Sequence, residues 1–159
     1  LFWKNSAKDL TKIHQTTTKN FGLDHHNYIG SLHQDNSEKR DWEIFFIENR
    51  IKPLVKKAFD LNRLDKSHLK SFENIYSRLN EILPKEKPSL VHGDLWGGNL
   101  MKGQNQTPVF IDPAVYFGHR EMDIAMTKMF GGFDHSYLDY YNEIFPMENG
   151  WKDRIAIHN

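Results

Sequence analysis

The chain has 159 residues, 21 lysines and arginines against 21 aspartates and glutamates, and 13% aromatic residues, so it carries no basic footprint for nucleic acid or an anionic membrane surface. It has no cysteine, which excludes disulfide frameworks, thiol catalysis and cysteine-ligated zinc, and its apolar runs fall far short of the ~20 residues of a membrane span. One domain in the cytoplasm is the default expectation, and a start at Leu1-Phe2-Trp3-Lys4, without initiator Met or signal-peptide layout, suggests a piece of a longer protein.

Ala7, Leu10, Ile13 and His14 fall at three-to-four spacing and predict a helix over 7–15. Residues 21–36, with Gly22, Asn27, Gly30, Asp35 and Asn36 around Tyr28-Ile29, read as an ordered loop. From Asp41, a stripe of Trp42, Phe45, Phe46, Ile51, Leu54, Val55, Ala58 and Phe59 predicts a helix kinked or broken at Pro53, which has no amide donor. Asp65 is a plausible N-cap for one long helix carrying Leu69, Phe72, Ile75, Tyr76, Leu79, Ile82 and Leu83 and ended by Pro84. The charged stretch from Pro84 to Pro88 reads as an exposed connector.

After Pro88 the period changes. Ser89-Leu90-Val91 is a short strand candidate, and 99–101 and 107–111 read as two strands of a hairpin joined through 103–106. Helical spacing returns over 120–130 until Gly131-Gly132 stops it, a further helix follows over 135–145, and another starts at Trp151. Helices, a small hairpin and helices again predict a mainly helical α+β fold.

Polar residues bracket the hairpin: His92-Gly93-Asp94 before it, Asn99 at its entry and Asp112-Pro113 at its exit. Asn99 follows Asp94 by five residues, the spacing of a kinase catalytic loop, in which a carboxylate sits beside the substrate hydroxyl and an amide reaches Mg²⁺. The hairpin returns the chain to Asp112, which offers a second, charged oxygen ligand of the kind Mg²⁺ takes. His92 is read as a brace of the loop. Other motifs fail: Ser67-x-x-Lys70 lies on an amphipathic helix, Gln104 stands where a P-loop needs Lys, and His25, His26 and His33 lie on a loop without evident carboxylate partners in a fixed geometry.

The stretch Leu90-Val91-His92-Gly93-Asp94-Leu95-Trp96-Gly97-Gly98-Asn99, with Ile111-Asp112-Pro113-Ala114-Val115-Tyr116-Phe117-Gly118-His119-Arg120-Glu121-Met122-Asp123-Ile124-Ala125-Met126, closely resembles the fructosamine kinase (ketosamine 3-kinase) family. Phe130-Gly131-Gly132-Phe133, Tyr140-Tyr141-Asn142-Glu143, Asn27-Tyr28-Ile29-Gly30 and Asp41-Trp42 with Phe45-Phe46 extend the likeness over most of the chain. The resemblance implies a protein-kinase-like fold and ATP- and Mg²⁺-dependent phosphorylation of the 3-hydroxyl of a sugar joined to an amine, free or on a protein, which makes the adduct labile and deglycates the amine. It implies Asp94 as catalytic base, Asn99 and Asp112 as metal and nucleotide ligands, Trp96 as a wall of the sugar pocket, and Asp123 as a loop brace or a substrate contact. It also implies that residues 1–159 are one domain, the C-terminal lobe, with the nucleotide lobe outside this chain, the fragment inactive alone and the last helix continuing past Asn159. The alternatives are a kinase of the aminoglycoside or choline type and a non-catalytic kinase-like binding module.

Overall fold

The computed structural model describes residues 1–159. Helix α1 (Phe2–His14) leads into a hairpin of β1 (Asn27–Ile29) and β2 (Leu32–Gln34). A helical rod follows: α2 (Trp42–Phe45), a π-helical turn (Phe46–Ile51) and α3 (Lys52–Asp60). Next come α4 (Lys66–Tyr76), α5 (Leu79–Ile82) and β3 (Ser89–Val91), and then the hairpin of β4 (Leu100–Lys102) and β5 (Pro108–Phe110). Strand β6 (Tyr116–Gly118) precedes α6 (Glu121–Met129), α7 (Tyr137–Ile144) and α8 (Trp151–His158). The three sheets are antiparallel pairs, β1-β2, β3-β6 and β4-β5. No helix is long and apolar enough to cross a membrane.

Helix α1 starts at Phe2, earlier than its apolar stripe predicts, because Trp3 packs edge-on against Tyr137, ring centroids 5.9 Å apart, and tilts against Phe133 at 5.7 Å. Residues 21–36 are not all loop, since Asn27 pairs with Gln34 and Ile29 with Leu32 around the turn at Gly30-Ser31. Each strand has only three residues, too short for alternation to be read. Pro53 does not break its rod, which runs through it as a π-helical turn continued by α3. The preceding turn widens so that the amide of Lys52 reaches back five residues to the carbonyl of Ile47, and the Asn49 carbonyl, for which Pro53 has no donor, accepts Arg50 Nη1 at 3.1 Å.

Asp65 caps α4, its carboxylate accepting from the amides of Ser67 (2.8 Å) and His68 (3.1 Å). The single helix expected over 65–83 is interrupted at Ser77-Arg78, where Ser77 Oγ bonds back to the Asn74 carbonyl at 2.9 Å. The interruption turns Leu79 and Leu83 into the core, while α3 and α4 have no fully buried residue and flank an apolar groove of about 770 Å³. The connector 84–88 is not simply exposed either. The Glu86 carboxylate meets buried Arg120 at 2.7 and 2.8 Å, and the same guanidinium holds the carbonyls of Phe145 (3.0 Å) and Pro146 (2.7 Å).

Two cores form. Ala7, Leu10, Leu95, Ile124, Tyr137, Leu138, Tyr141 and Met147 join α1, α6 and α7, and Phe21, Trp42, Phe45, Phe46, Leu79, Leu83, Val91 and Tyr116 gather around the rod and the β3-β6 pair. Val91 belongs to one and Leu95 to the other, so His92-Gly93-Asp94 spans the gap between them.

The end of α8 is tied to α6 by Arg154, whose Nη2 and Nε hold the two oxygens of Glu121 at 2.5 and 2.9 Å. Burial alone would raise the Glu121 pKa, but His158 and Arg154 beside it outweigh that and hold the carboxyl at about 2, while burial pushes the neighbouring His119 imidazole down to about 4. Both shifts act in the same direction. Below the ordinary histidine value of 6.5 the unfolded chain takes a proton that folded His119 refuses until about pH 4, and below 4.5 the unfolded chain protonates a glutamate that folded Glu121 keeps ionised to about pH 2. Stability in urea titrations is therefore expected to fall as pH drops from 6.5 toward 4, at up to roughly 1.4 kcal/mol per pH unit for one proton. His119→Leu flattens that slope; an unchanged slope refutes the assignment.

Candidate active site

The β3-β6 ladder delivers the loop. Val91 pairs with Tyr116, and just beyond it the Ala114 amide donates to the His92 carbonyl at 2.8 Å. Gly93 then turns with φ +80°, and its Cα faces the Ala114 carbonyl so closely that a Cβ would sit 2.2 Å from the oxygen; only glycine fits. Asp94 follows, part-exposed, and Leu95 is fully buried.

Both ring nitrogens of His92 are hydrogen-bonded to backbone. Its Nδ1 accepts the Asp94 amide at 3.3 Å, so the other ring nitrogen carries the proton and donates to the Ile111 carbonyl at 3.0 Å. One buried imidazole thus links the residue bearing the candidate base to the residue preceding Asp112.

Asn99 sits in a short 3₁₀ turn, Gly97–Asn99, and its Nδ2 donates to the Asp94 carbonyl at 2.9 Å and to Asp94 Oδ2 at 3.0 Å. The amide's nitrogen faces the carboxylate and its Oδ1 takes no hydrogen bond from the protein. The Asn99 carbonyl accepts the Ile111 amide at 3.0 Å. Asp112 is exposed, adopts φ +48°, and forms no hydrogen bond or ion pair with another residue. Asp94 and Asn99 are therefore in direct contact, and the hairpin returns the chain to Asn99 at Ile111, the residue before Asp112. Asp94, Asn99 and Asp112 offer only hard oxygen donors, a set that fits Mg²⁺ and not a soft or tetrahedral nitrogen-sulfur metal site.

The indole of Trp96, 40% exposed, folds back over its own loop, where a Cβ on Gly98 would lie 2.3 Å from the ring. Phe130 meets it edge-on at 6.0 Å, and Gly97 packs against the backbone of Gly132. Trp96 thus forms the lip beside Asp94, and Phe130, which periodicity does not single out, extends it.

Asp123 lies behind the loop, only 1% exposed. Its Oδ2 accepts from the His92 amide (2.7 Å) and faces His14 Nε2 (3.0 Å), and its Oδ1 accepts from the Gly93 amide (2.9 Å). This is the geometry of a brace; the side chain has no surface to offer a substrate. His14 and its partner Tyr141 are the polar groups that sequence reasoning missed, since His14 looks like one more position of a buried stripe. The back of the 112–116 segment is held by Asn27 Nδ2 on the Val115 carbonyl (2.7 Å) and by Gln34 Nε2 on the Ala114 carbonyl (3.3 Å).

A second grouping, His119, Glu121 and His158, brings three potential ligand atoms within 4.8 Å of one another. Arg154 occupies both Glu121 oxygens and His119 Nδ1 accepts the Glu121 amide at 3.2 Å, whereas His119 Nε2 and both His158 ring nitrogens, buried, have no hydrogen-bond partner; Arg154 and Glu121 thus tie α8 to α6 through this cluster. Of the loop histidines, His25 pairs with Asp24 and His26 accepts the Asn36 amide at 3.1 Å.

Comparison with known proteins gives the same reading. The fructosamine kinase family model matches residues 2–159. A relative from Enterococcus faecium named as a ketoamine kinase is 43% identical over 157 residues, 98% of this chain and 57% of that protein. The chloroplastic protein-ribulosamine 3-kinase of Arabidopsis thaliana is 33% identical over 96% of this chain and 47% of its own length. A solved structure from Thermobifida fusca described as a fructosamine-3-kinase superposes with a TM-score of 0.91 at 34% identity, covering 98% of this chain and 55% of that one. The chain spans about half the length of these relatives. It belongs to the fructosamine kinase family.

Proposed function

We propose that this chain carries the catalytic and substrate-holding part of a kinase that transfers the γ-phosphoryl group of ATP to the 3-hydroxyl of a ketosamine. The observation that carries the reading is the Asn99 amide bonded through Nδ2 to the Asp94 carboxylate at 3.0 Å, with Oδ1 left without a protein partner. In this reading residues 1–159 are the C-terminal lobe of a protein-kinase-like fold, and the phosphate-covering loop with its Lys-Glu pair lies in a lobe outside them.

Asp94 accepts the proton of the sugar 3-hydroxyl as that oxygen bonds to the γ-phosphorus and the bond to the ADP oxygen breaks; the proton then passes to solvent. Asn99 Nδ2 holds the carboxylate in place for the approaching hydroxyl. Asn99 Oδ1 and the Asp112 carboxylate would hold Mg²⁺, which when bound supplies the charge that neutralises the β- and γ-phosphate oxygens. Trp96 walls the sugar side, its face suited to the C–H face of a sugar ring. The 3-phosphate makes the adduct labile and frees the amine, which amounts to deglycation. Asp123 and His92 touch neither substrate nor metal and keep the loop in register.

The substrate class is tested with ATP and a panel of fructosyl-lysine, ribosyl-lysine, choline and an aminoglycoside, assayed in the protein that contains this chain. Phosphorylation of the ketosamines is expected; turnover of choline or the aminoglycoside alone overturns the reading. Asp94→Asn should retain nucleotide binding and lose turnover by on the order of a hundredfold or more, as for a missing general base. Near-normal kcat would remove Asp94 from the mechanism.

For the metal, Asp112 contributes a charge and Asn99 a neutral oxygen. Asp112→Ala should weaken Mg²⁺-dependent nucleotide binding more than Asn99→Ala, seen by titrating Mg²⁺ against nucleotide affinity. Equal losses would count against this division of roles.

A further inference from the structure

We infer that His14, oriented by Tyr141, is a positioning residue for the catalytic loop and acts on it through Asp123. The inference rests on the reading of His92-Gly93-Asp94 as that loop. Asp123 spends three acceptor positions on the amides of His92 and Gly93 and on His14 Nε2. A carboxylate only accepts, so the His14 ring must carry its proton on Nε2. With the proton there, Nδ1 is left as an acceptor, and the Tyr141 hydroxyl, 2.8 Å away, is the donor that fills it. The result is a directed chain: Tyr141 O–H to His14 Nδ1, His14 Nε2–H to Asp123, and Asp123 to the two loop amides.

Its members are sealed from water. His14 and Tyr141 are fully buried and Asp123 is 1% exposed, so no solvent molecule stands in for a missing partner at low cost. Burial holds the Tyr141 phenol in its protonated, donating form by raising its pKa. The ring of Tyr141 also meets His14 edge-on at 5.6 Å, which limits rotation of the imidazole.

The chain has leverage because of where its ends lie. His14 stands in the last turn of α1 and Tyr141 in the middle of α7, two helices packed along each other, while the loop end falls at Gly93, which has a φ of +80° and no room for a Cβ against the Ala114 carbonyl. Helix α1 also packs on β3, which leads into the loop, and on β5, the second strand of the hairpin that follows it. His14 therefore couples the α1-α7 pair to the one turn that aims Asp94. Without its Nε2–H, Asp123 keeps a buried lone pair unsatisfied and is free to swing from the Gly93 amide.

The test uses the protein that contains this chain. Amide hydrogen exchange is followed at His92 and Gly93 against Leu10 and Ile124, which report the cores, in His14→Leu, His14→Gln and Tyr141→Phe. In His14→Leu the two loop amides should exchange at least about tenfold faster relative to the core amides. His14→Gln, which keeps a donor near Nε2, should recover part of that protection, and Tyr141→Phe, which removes one hydroxyl and is the variant most certain to fold, should give a smaller loss in the same two amides. A uniform acceleration across loop and core, or none at the loop, overturns the inference. Nitrogen chemical shifts of the unmodified chain should show the His14 proton on Nε2 with Nδ1 bare; a proton on Nδ1 overturns it as well. In the active protein, His14→Leu should lower kcat with the KM for ATP unchanged. If no ketosamine is phosphorylated, the functional reading falls while the exchange and tautomer measurements still decide whether His14 positions the loop.

Discussion

One carboxylate holds the site to the scaffold. Asp123, buried at the start of α6, accepts the amides of His92 and Gly93 at 2.7 and 2.9 Å, and those two residues bridge the gap between the two hydrophobic cores. Val91 pulls the loop into one core and Leu95 pulls it into the other. Between these anchors the backbone must turn at Gly93 without the help of a sheet, and the Asp123 oxygens supply the partners a neighbouring strand would otherwise offer.

The need for such a brace follows from how little sheet the fold contains. Its six strands have three residues each and form only pairs, which by themselves give marginal stiffness. Rigidity comes from helices tied by charges with fixed partners: buried Arg120 with Glu86, buried Arg154 with Glu121, and half-buried Arg50. The Arg50 guanidinium lies over the rings of Tyr116 and Phe45 at 4.1 and 4.6 Å and bonds the Asp35 carbonyl and Asn36 Oδ1. Removing one partner of a buried pair leaves the other charge stranded at a cost of roughly 3–5 kcal/mol, so these contacts hold the geometry by the expense of breaking them. The π-helical turn belongs to the same system, because the widened backbone before Pro53 is where Arg50 sits.

On the solvent side the logic reverses. Asp94 is part-exposed, Asp112 is exposed and without a partner, and Asn99 offers its oxygen outward while its nitrogen is fully used. Unpaired acceptors on this side, backed by a network in which the polar atoms are satisfied, are what the proposed cation and phosphate chain would require. The Trp96-Phe130 pair adds an apolar lip that no core claims, held in place by the close approaches at Gly97 and Gly98.

How much of this is legible in the sequence depends on whether the information is local. The spacing of Asp94 and Asn99, the return to Asp112 through a hairpin, the Asp65 cap and the stop at Gly131-Gly132 are set by neighbours a few residues apart, and a single chain suffices to read them. The roles of Asp123 and His14 are not local. Asp123 is 109 positions from His14 and 31 from His92, and Tyr141 is 127 from His14, so only the packing of α1, α6 and α7 decides that these side chains meet. For the same reason the sequence predicts a kink or a break at Pro53 where the helix runs on through a π-helical turn, and an exposed connector where Glu86 finds Arg120 across 34 residues. The sequence by itself determined which polar groups stand around the hairpin, because their spacing is written in residues a few positions apart. Tertiary structure alone decided what holds those atoms still, because a buried polar group is satisfied by whichever distant helix brings it a partner.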